Sequence, residues 1–193
     1  MRIKENLTVL MPLVVLILVM FSGAIIASPN AVMAASISEG STLPEFKMDL
    51  TSKPDMLNYL GIESGTEFSL FQITAKLIVI EFFSVVCPAC LKNAPNVNKL
   101  YDIISNDADL NKDVKLVGIA VGNDDKLVNI YKNKFDVKFP LVADPKEEID
   151  TRLGYMSTPT IILADKRGTV LYMHEGIIDD IDAVLEVVRF HAK

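Results

Sequence analysis

Both cysteines of this 193-residue chain fall in one tetrapeptide, Cys87-Pro88-Ala89-Cys90. A structural staple is a poor use of such a pair, because closing so small a loop removes only about 2 kcal/mol of unfolded-chain entropy before strain. A closed zinc site needs four ligands, and the two histidines, His174 and His191, lie far along the sequence. What the spacing suits is reversible thiol–disulfide exchange. An apolar run of strand length precedes the pair and a helical pattern follows it, which places Cys87 at a helix N-terminus. There, unsatisfied N–H groups and the helix dipole favour thiolate over thiol. Cys90, one turn on, is spaced to resolve a mixed disulfide. Cys87 is therefore the expected nucleophile, with Pro88 at a first-turn position that does not need its missing N–H.

The elements that must position this pair read as α/β. Leu77–Ser84 (LIVIEFFS) and Val114–Val121 (VKLVGIAV) are continuous apolar runs, the pattern of strands covered on both faces. Ala94, Val97, Tyr101 and Ile104 recur at helical spacing, predicting an amphipathic helix from about Pro88 to Ser105 that Pro95 kinks. Leu127, Val128, Tyr131 and Phe135 form the inner face of a second helix that Asp124 can cap. Phe139–Ala143 and Glu147–Leu153 give a short strand and a short helix. Asp165-Lys166-Arg167-Gly168 is turn chemistry between Thr160–Ala164 and Thr169–His174, an antiparallel hairpin. A last helix carries Ile181, Val184, Leu185 and Val188 on one face. The order is βαβ, an αβα insert, then ββα. Upstream, the pattern allows a strand at Phe46–Leu50, a helical stretch at Asp55–Leu60 and a strand or turn at Glu67–Ile73.

Composition bounds the partners. With 19 Lys+Arg against 25 Asp+Glu, a net charge of −6 and no basic stripe, the chain is unsuited to nucleic acid. Half of its residues are hydrophobic, enough to build a core. The nearly unbroken apolar run at residues 7–27 follows Arg2 and Lys4, and Val32-Met33-Ala34 offers a cleavage signal. Residues 1–34 thus read as a signal peptide cleaved after Ala34 or as a retained membrane anchor, with membrane contact only through residues 7–27. Both readings put the rest outside the cytoplasmic membrane. Residues 35–45 read as a flexible tether and residues 46–193 as the folded domain.

With these elements in place, the chain resembles the thioredoxin-like exported thiol–disulfide oxidoreductases of the TlpA/ResA type over about residues 43–190. The resemblance rests on LPEFKMDL, IVIEFFSVVCPAC with Pro95 beyond it, FPLVADP, and STPTIILADKRGTVLYMHEG. It implies a thioredoxin-like fold: a central mixed β-sheet flanked by helices, with the αβα insertion and an N-terminal extension. It implies that Thr158-Pro159 is a cis-proline turn facing the cysteines, where the Thr158 backbone pairs with substrate. It also implies that Glu81 is a buried acid behind Cys90, its pKa raised by burial and suited to move protons to and from that thiol. A strand-end acid reaching water is the alternative. Two positions depart from the family: Val86 stands where Trp is usual, and Ala89 replaces the commoner dipeptide residue. Val86 and Pro88 therefore join Thr158 and Pro159 as substrate-facing residues whose preferences relatives do not supply.

The implied activity is disulfide exchange with exported protein thiols or disulfides, using the Cys87–Cys90 disulfide and no separate cofactor or metal. The resemblance favours a reductant, re-reduced by a membrane electron donor and acting on partners such as apocytochrome c cysteines, although a CPxC motif also serves oxidants and isomerases. Two rivals remain. A peroxiredoxin would use P-x-x-x-T/S-x-x-C; Ser84 fits its hydroxyl position, but Ile80 occupies the proline position. A Sco-type copper module would need a longer Cys spacing and a histidine near Ser157–Thr158.

Overall fold

The computed structural model describes residues 36–50, 54–63, 65 and 67–193; the expected leader over 1–34 lies outside them. The described elements are β1 (Lys47–Asp49), α1 (Pro54–Leu60), β2 (Glu67–Ser69), a 3-10 turn (Leu70–Gln72), β3 (Leu77–Phe83), α2 (Pro88–Asn106), α3 (Leu110–Asp113), β4 (Val114–Val121), α4 (Asp125–Phe135), β5 (Leu141–Asp144), α5 (Glu148–Arg152), β6 (Thr160–Asp165), β7 (Val170–Glu175) and α6 (Ile181–Ala192). No helix among the described residues is long and apolar enough to cross a membrane.

A mixed five-stranded sheet in the order β5-β4-β3-β6-β7 forms the centre. β3, β4 and β5 run parallel, while β6 runs antiparallel to both of its neighbours, β3 and β7. Every residue of β3 is buried, because helices or the N-terminal extension cover both of its faces. Side chains alternate along a strand. Leu77, Val79 and Phe83 join α2, α4 and α6 in one core, while Ile78, Ile80 and Phe82 join α1, α5 and the β1–β2 ladder in the other. The architecture is the thioredoxin-like one that the sequence predicts.

Two local features differ from expectation, the pairing of residues 40–43 and the turn α3; α2 spans the residues expected of it, Pro88–Asn106, and contains Pro95. Its neighbours Ala94 and Val97 are buried in the sheet-facing core, and that packing carries the helix past the bond that proline cannot make. Residues 40–43 are not a loose tether. Gly40 N–H donates to Val170 O and Leu43 N–H to Gly168 O, both at 2.8 Å, and Val170 N–H donates to Ser41 O at 2.9 Å. The segment thus pairs with the outer edge of β7, anchored by buried Leu43. Small polar residues suit edge pairing as well as a linker, so composition alone did not separate the two. The single turn α3 has too few residues to show a period and was not anticipated.

Candidate active site

Strand direction brings the site together. β3 ends at Phe83 and a four-residue connection delivers Cys87 to the head of α2. β6 lies antiparallel beside β3, with Thr160 opposite Phe82, so the residues just before β6 arrive at the same end of the sheet. Cys87 and Thr158 are 71 positions apart, yet the Cys87 thiol donates to the Thr158 carbonyl at 3.4 Å. The Thr158–Pro159 peptide bond is cis. Pro159 is buried, and its carbonyl accepts the Gly176 N–H at 2.8 Å.

Cys87 caps α2 in extended conformation, with Pro88 in the first turn. Its Sγ accepts the Cys90 N–H at 3.3 Å. Both cysteines are free; Cys87 is partly exposed, while Cys90 is fully buried. The environments drive the two thiols apart. Partial burial works against the Cys87 thiolate, but hydrogen bonds from the Cys90 thiol, the Cys90 and Ala89 N–H groups and the Thr158 side chain outweigh it and lower its pKa. Burial pushes Cys90 up to about 12, assisted by its hydrogen bond to Cys87 and by that neighbour's charge. Val86, immediately before the pair, is 75% exposed.

Glu81 is 1% exposed. It lies on β3 between Gly118 of β4 and Ile161 of β6, on the alternation that faces the core containing Cys90. Its Oε1 has no hydrogen-bond partner, and burial raises its pKa to about 8. The strand-end alternative, with a carboxylate in water, does not fit this burial. Tyr131 of α4 packs on Phe83 at 4.7 Å between ring centroids, and its hydroxyl is also buried without a partner. Burial, then the charges of Glu81, Cys90 and Cys87, hold that phenol neutral.

Neither Asn93 nor Asn123 carries a local sequence signal for a place in the site. Asn93 is fully buried in α2, and its Oδ1 accepts the Ile178 N–H at 2.9 Å, tying the segment after β7 to the helix that begins with the cysteines. Asn123, in the turn after β4, accepts the Val85 N–H at 2.9 Å and the Ser84 hydroxyl at 3.2 Å. These contacts span 85 and 38 or 39 positions. No local spacing could have signalled them.

The geometry bears on both rivals. The Ser84 hydroxyl that a peroxidatic cysteine would need is bonded to Asn123, not to Cys87. Nε2 of His174 lies 3.1 Å from Ile177 O.

An activated, accessible thiol backed by a buried second thiol defines a redox protein of the thioredoxin class. Residues 38–187 match the Redoxin family, and the chain belongs to it. The thiol-disulfide oxidoreductase ResA of Geobacillus thermodenitrificans is 24% identical over 188 residues, covering 96% of this chain and 98% of that protein. StoA from Bacillus subtilis superposes with a TM-score of 0.55 at 20% identity, covering 75% of this chain and 96% of that one. The thioredoxin domain of a thiol-disulfide oxidoreductase from Bacteroides vulgatus gives 0.60 at 18% identity, covering 79% and 99%. Within the family, the chain is a thiol–disulfide oxidoreductase of the TlpA/ResA type.

Proposed function

We propose that this enzyme works outside the cytoplasmic membrane as a reductant of protein disulfides, with Cys87 attacking and Cys90 resolving. The observation that carries this reading is the pairing of a partly exposed thiol of lowered pKa, 3.4 Å from the Thr158 carbonyl, with a buried thiol of raised pKa. The Cys87 thiolate attacks one sulfur of the partner's disulfide, forming a Cys87–partner bond and releasing the other sulfur as a thiolate. Where Glu81 is ionised, Cys90 then gives its proton to that carboxylate and attacks Cys87 Sγ. The Cys87–Cys90 disulfide forms, and the second partner thiol leaves. Two electrons pass to the partner, whose two sulfurs take up protons. A membrane dithiol donor returns both electrons, and the protein needs no other cofactor.

Thr158 and Pro159 line the docking site, with the Thr158 carbonyl taking a backbone N–H of the partner once Cys87 has ionised. Val86 and Pro88 supply apolar contact beside it. An export segment over residues 1–34 places the domain with substrates such as apocytochrome c cysteines. The test is trapping in the source cell: Cys90→Ser should hold its partner as a mixed disulfide. Recovery of exported proteins carrying cysteine pairs is expected. Recovery of partners confined to the cytoplasm, or a reduction potential near those of strong oxidants, would overturn the proposal.

A further inference from the structure

The link between β3 and α2 is only Ser84-Val85-Val86-Cys87, and its conformation decides where the reactive sulfur lies. Within it, Cys87 N–H donates to Ser84 O at 3.1 Å, so the position of Ser84 is passed directly to Cys87. Ser84 and Val85 are held from outside the link. Asn123 Oδ1 accepts the Val85 N–H at 2.9 Å and the Ser84 hydroxyl at 3.2 Å, which uses both lone pairs of one amide oxygen. Asn123 is 4% exposed, so water does not readily replace either bond.

The side chain is not required by its own turn. That turn closes through the backbone, Asn123 N–H to Ala120 O at 3.2 Å, with Gly122 supplying φ +67°. The next helix is capped by Asp124, whose Oδ1 accepts the Leu127 N–H at 2.9 Å. The described bonds of the Asn123 carboxamide therefore all go to the segment that carries Cys87.

We propose that Asn123 is a positioning residue for disulfide exchange: its amide oxygen clamps Ser84 and Val85, keeping Cys87 Sγ on the Cys90 N–H and leaving Val86 turned outward. The inference rests on the reading of Cys87 as the attacking sulfur. Without the clamp, the link gains freedom and Cys87 Sγ spends less time against the N–H groups that favour its thiolate.

The test compares wild type, Asn123→Ala and Asn123→Asp in the reduced full-length protein. Thiolate absorbance against pH gives the Cys87 pKa, amide hydrogen exchange follows Val85, and reduction of a model protein disulfide gives the rate. Asn123→Ala should raise the Cys87 pKa by about one unit, lowering the thiolate fraction about tenfold at pH values well below that pKa, and should deprotect Val85. Asn123→Asp keeps an acceptor oxygen in place. Its added charge also raises the Cys87 pKa, but Val85 should stay protected and the exchange rate above that pKa should stay within about twofold of wild type. A folded Asn123→Ala with unchanged Cys87 pKa and unchanged rate overturns the inference. Should Asn123→Ala fail to fold, Asn123→Asp decides: a retained high-pH rate supports the clamp, and a tenfold loss in a folded protein refutes it. A wild type that exchanges no disulfide would instead refute the assignment of Cys87 itself.

Discussion

The sulfur of Cys87 accepts the backbone N–H of Cys90 at 3.3 Å, so in the proposed exchange the residue that resolves the mixed disulfide also holds the thiolate that begins the reaction. One helical turn supplies both services. The N–H belongs to the first turn of α2, where it has no partner within the helix, and a thiolate satisfies it as a capping oxygen would.

The first prediction concerns order of reactivity. Hydrogen bonding lowers the pKa of Cys87 against the effect of its partial burial, whereas burial pushes Cys90 to about 12. Iodoacetamide at pH 6–7 should therefore alkylate Cys87 at least about tenfold faster than Cys90, because the thiolate is the reacting form. Cys87→Ser should abolish exchange. Peptide mapping that found Cys90 labelled first would reverse the assignment.

Glu81 gives a prediction in pH. Its pKa rises through burial from 4.5 unfolded to about 8 folded. Below pH 4.5 both states keep the proton. Between those values the unfolded chain releases it while the folded protein retains it, so stability falls as pH rises, by roughly 1.4 kcal/mol per unit for this group, and levels off above pH 8. Glu81→Gln should remove that slope, making the variant increasingly more stable than wild type from pH 5 to pH 8. Denaturant titrations of the oxidised protein, in which neither thiol titrates, isolate the effect. The same variant should slow resolution by Cys90 while sparing attack by Cys87. Parallel stability curves for the two proteins would show that the carboxylate is not the group being titrated.

The parts of the fold and site that were readable in the sequence are those with local causes. LIVIEFF and VKLVGIAV announce buried strands because a strand covered on both faces needs apolar residues throughout, and the lone Glu81 stands out against that background. Cys87, Pro88 and Cys90 are legible because strand, cap and helix follow one another in the chain. The placement of Pro159 came from resemblance, since no local pattern connects residue 158 with residue 87. Asn93, Asn123 and the docking of residues 40–43 on β7 depend on which strands become neighbours, and that is settled by the assembled sheet.

Gly118 faces Glu81 across the β3–β4 pair, and its missing side chain is filled by others. A Cβ there would lie 2.6 Å from Leu141 Cδ2 and 3.2 Å from Phe83 Cε1. Leu141 and Phe83 are fully buried, so neither can move aside freely. Gly118→Ala should cost about 1–3 kcal/mol by overpacking. It should also disturb exchange, because Phe83 lies two residues from Glu81 and stacks on Tyr131. Thermal denaturation checks the first effect; a variant as stable as wild type would mean that this part of the core has slack.

The start of β4 is supported from outside the central sheet. β5 begins to pair with β4 only at Gly118, opposite Leu141, leaving the Leu116 N–H beyond the reach of that ladder. The hydroxyl of Tyr59, on α1, accepts it at 3.0 Å, and Lys115 Nζ sits 4.8 Å from the centroid of the same ring. The N-terminal extension thus completes the hydrogen bonding of a central strand. Burial raises the Tyr59 pKa above the usual phenol range, although the bond to Leu116 works the other way, so the group remains a neutral hydroxyl at all working pH values. Tyr59→Phe keeps the ring against Lys115 but strands the buried Leu116 N–H, which should cost about 1–3 kcal/mol. Exchange activity should be unchanged, because Cys87 follows the C-terminal end of β3, whereas Leu116 lies opposite Val79 near the start of the β3–β4 pair. Chemical denaturation and the hydrogen-exchange rate of the Leu116 amide measure the two consequences, and wild-type values for both would show that the hydroxyl does not support the strand.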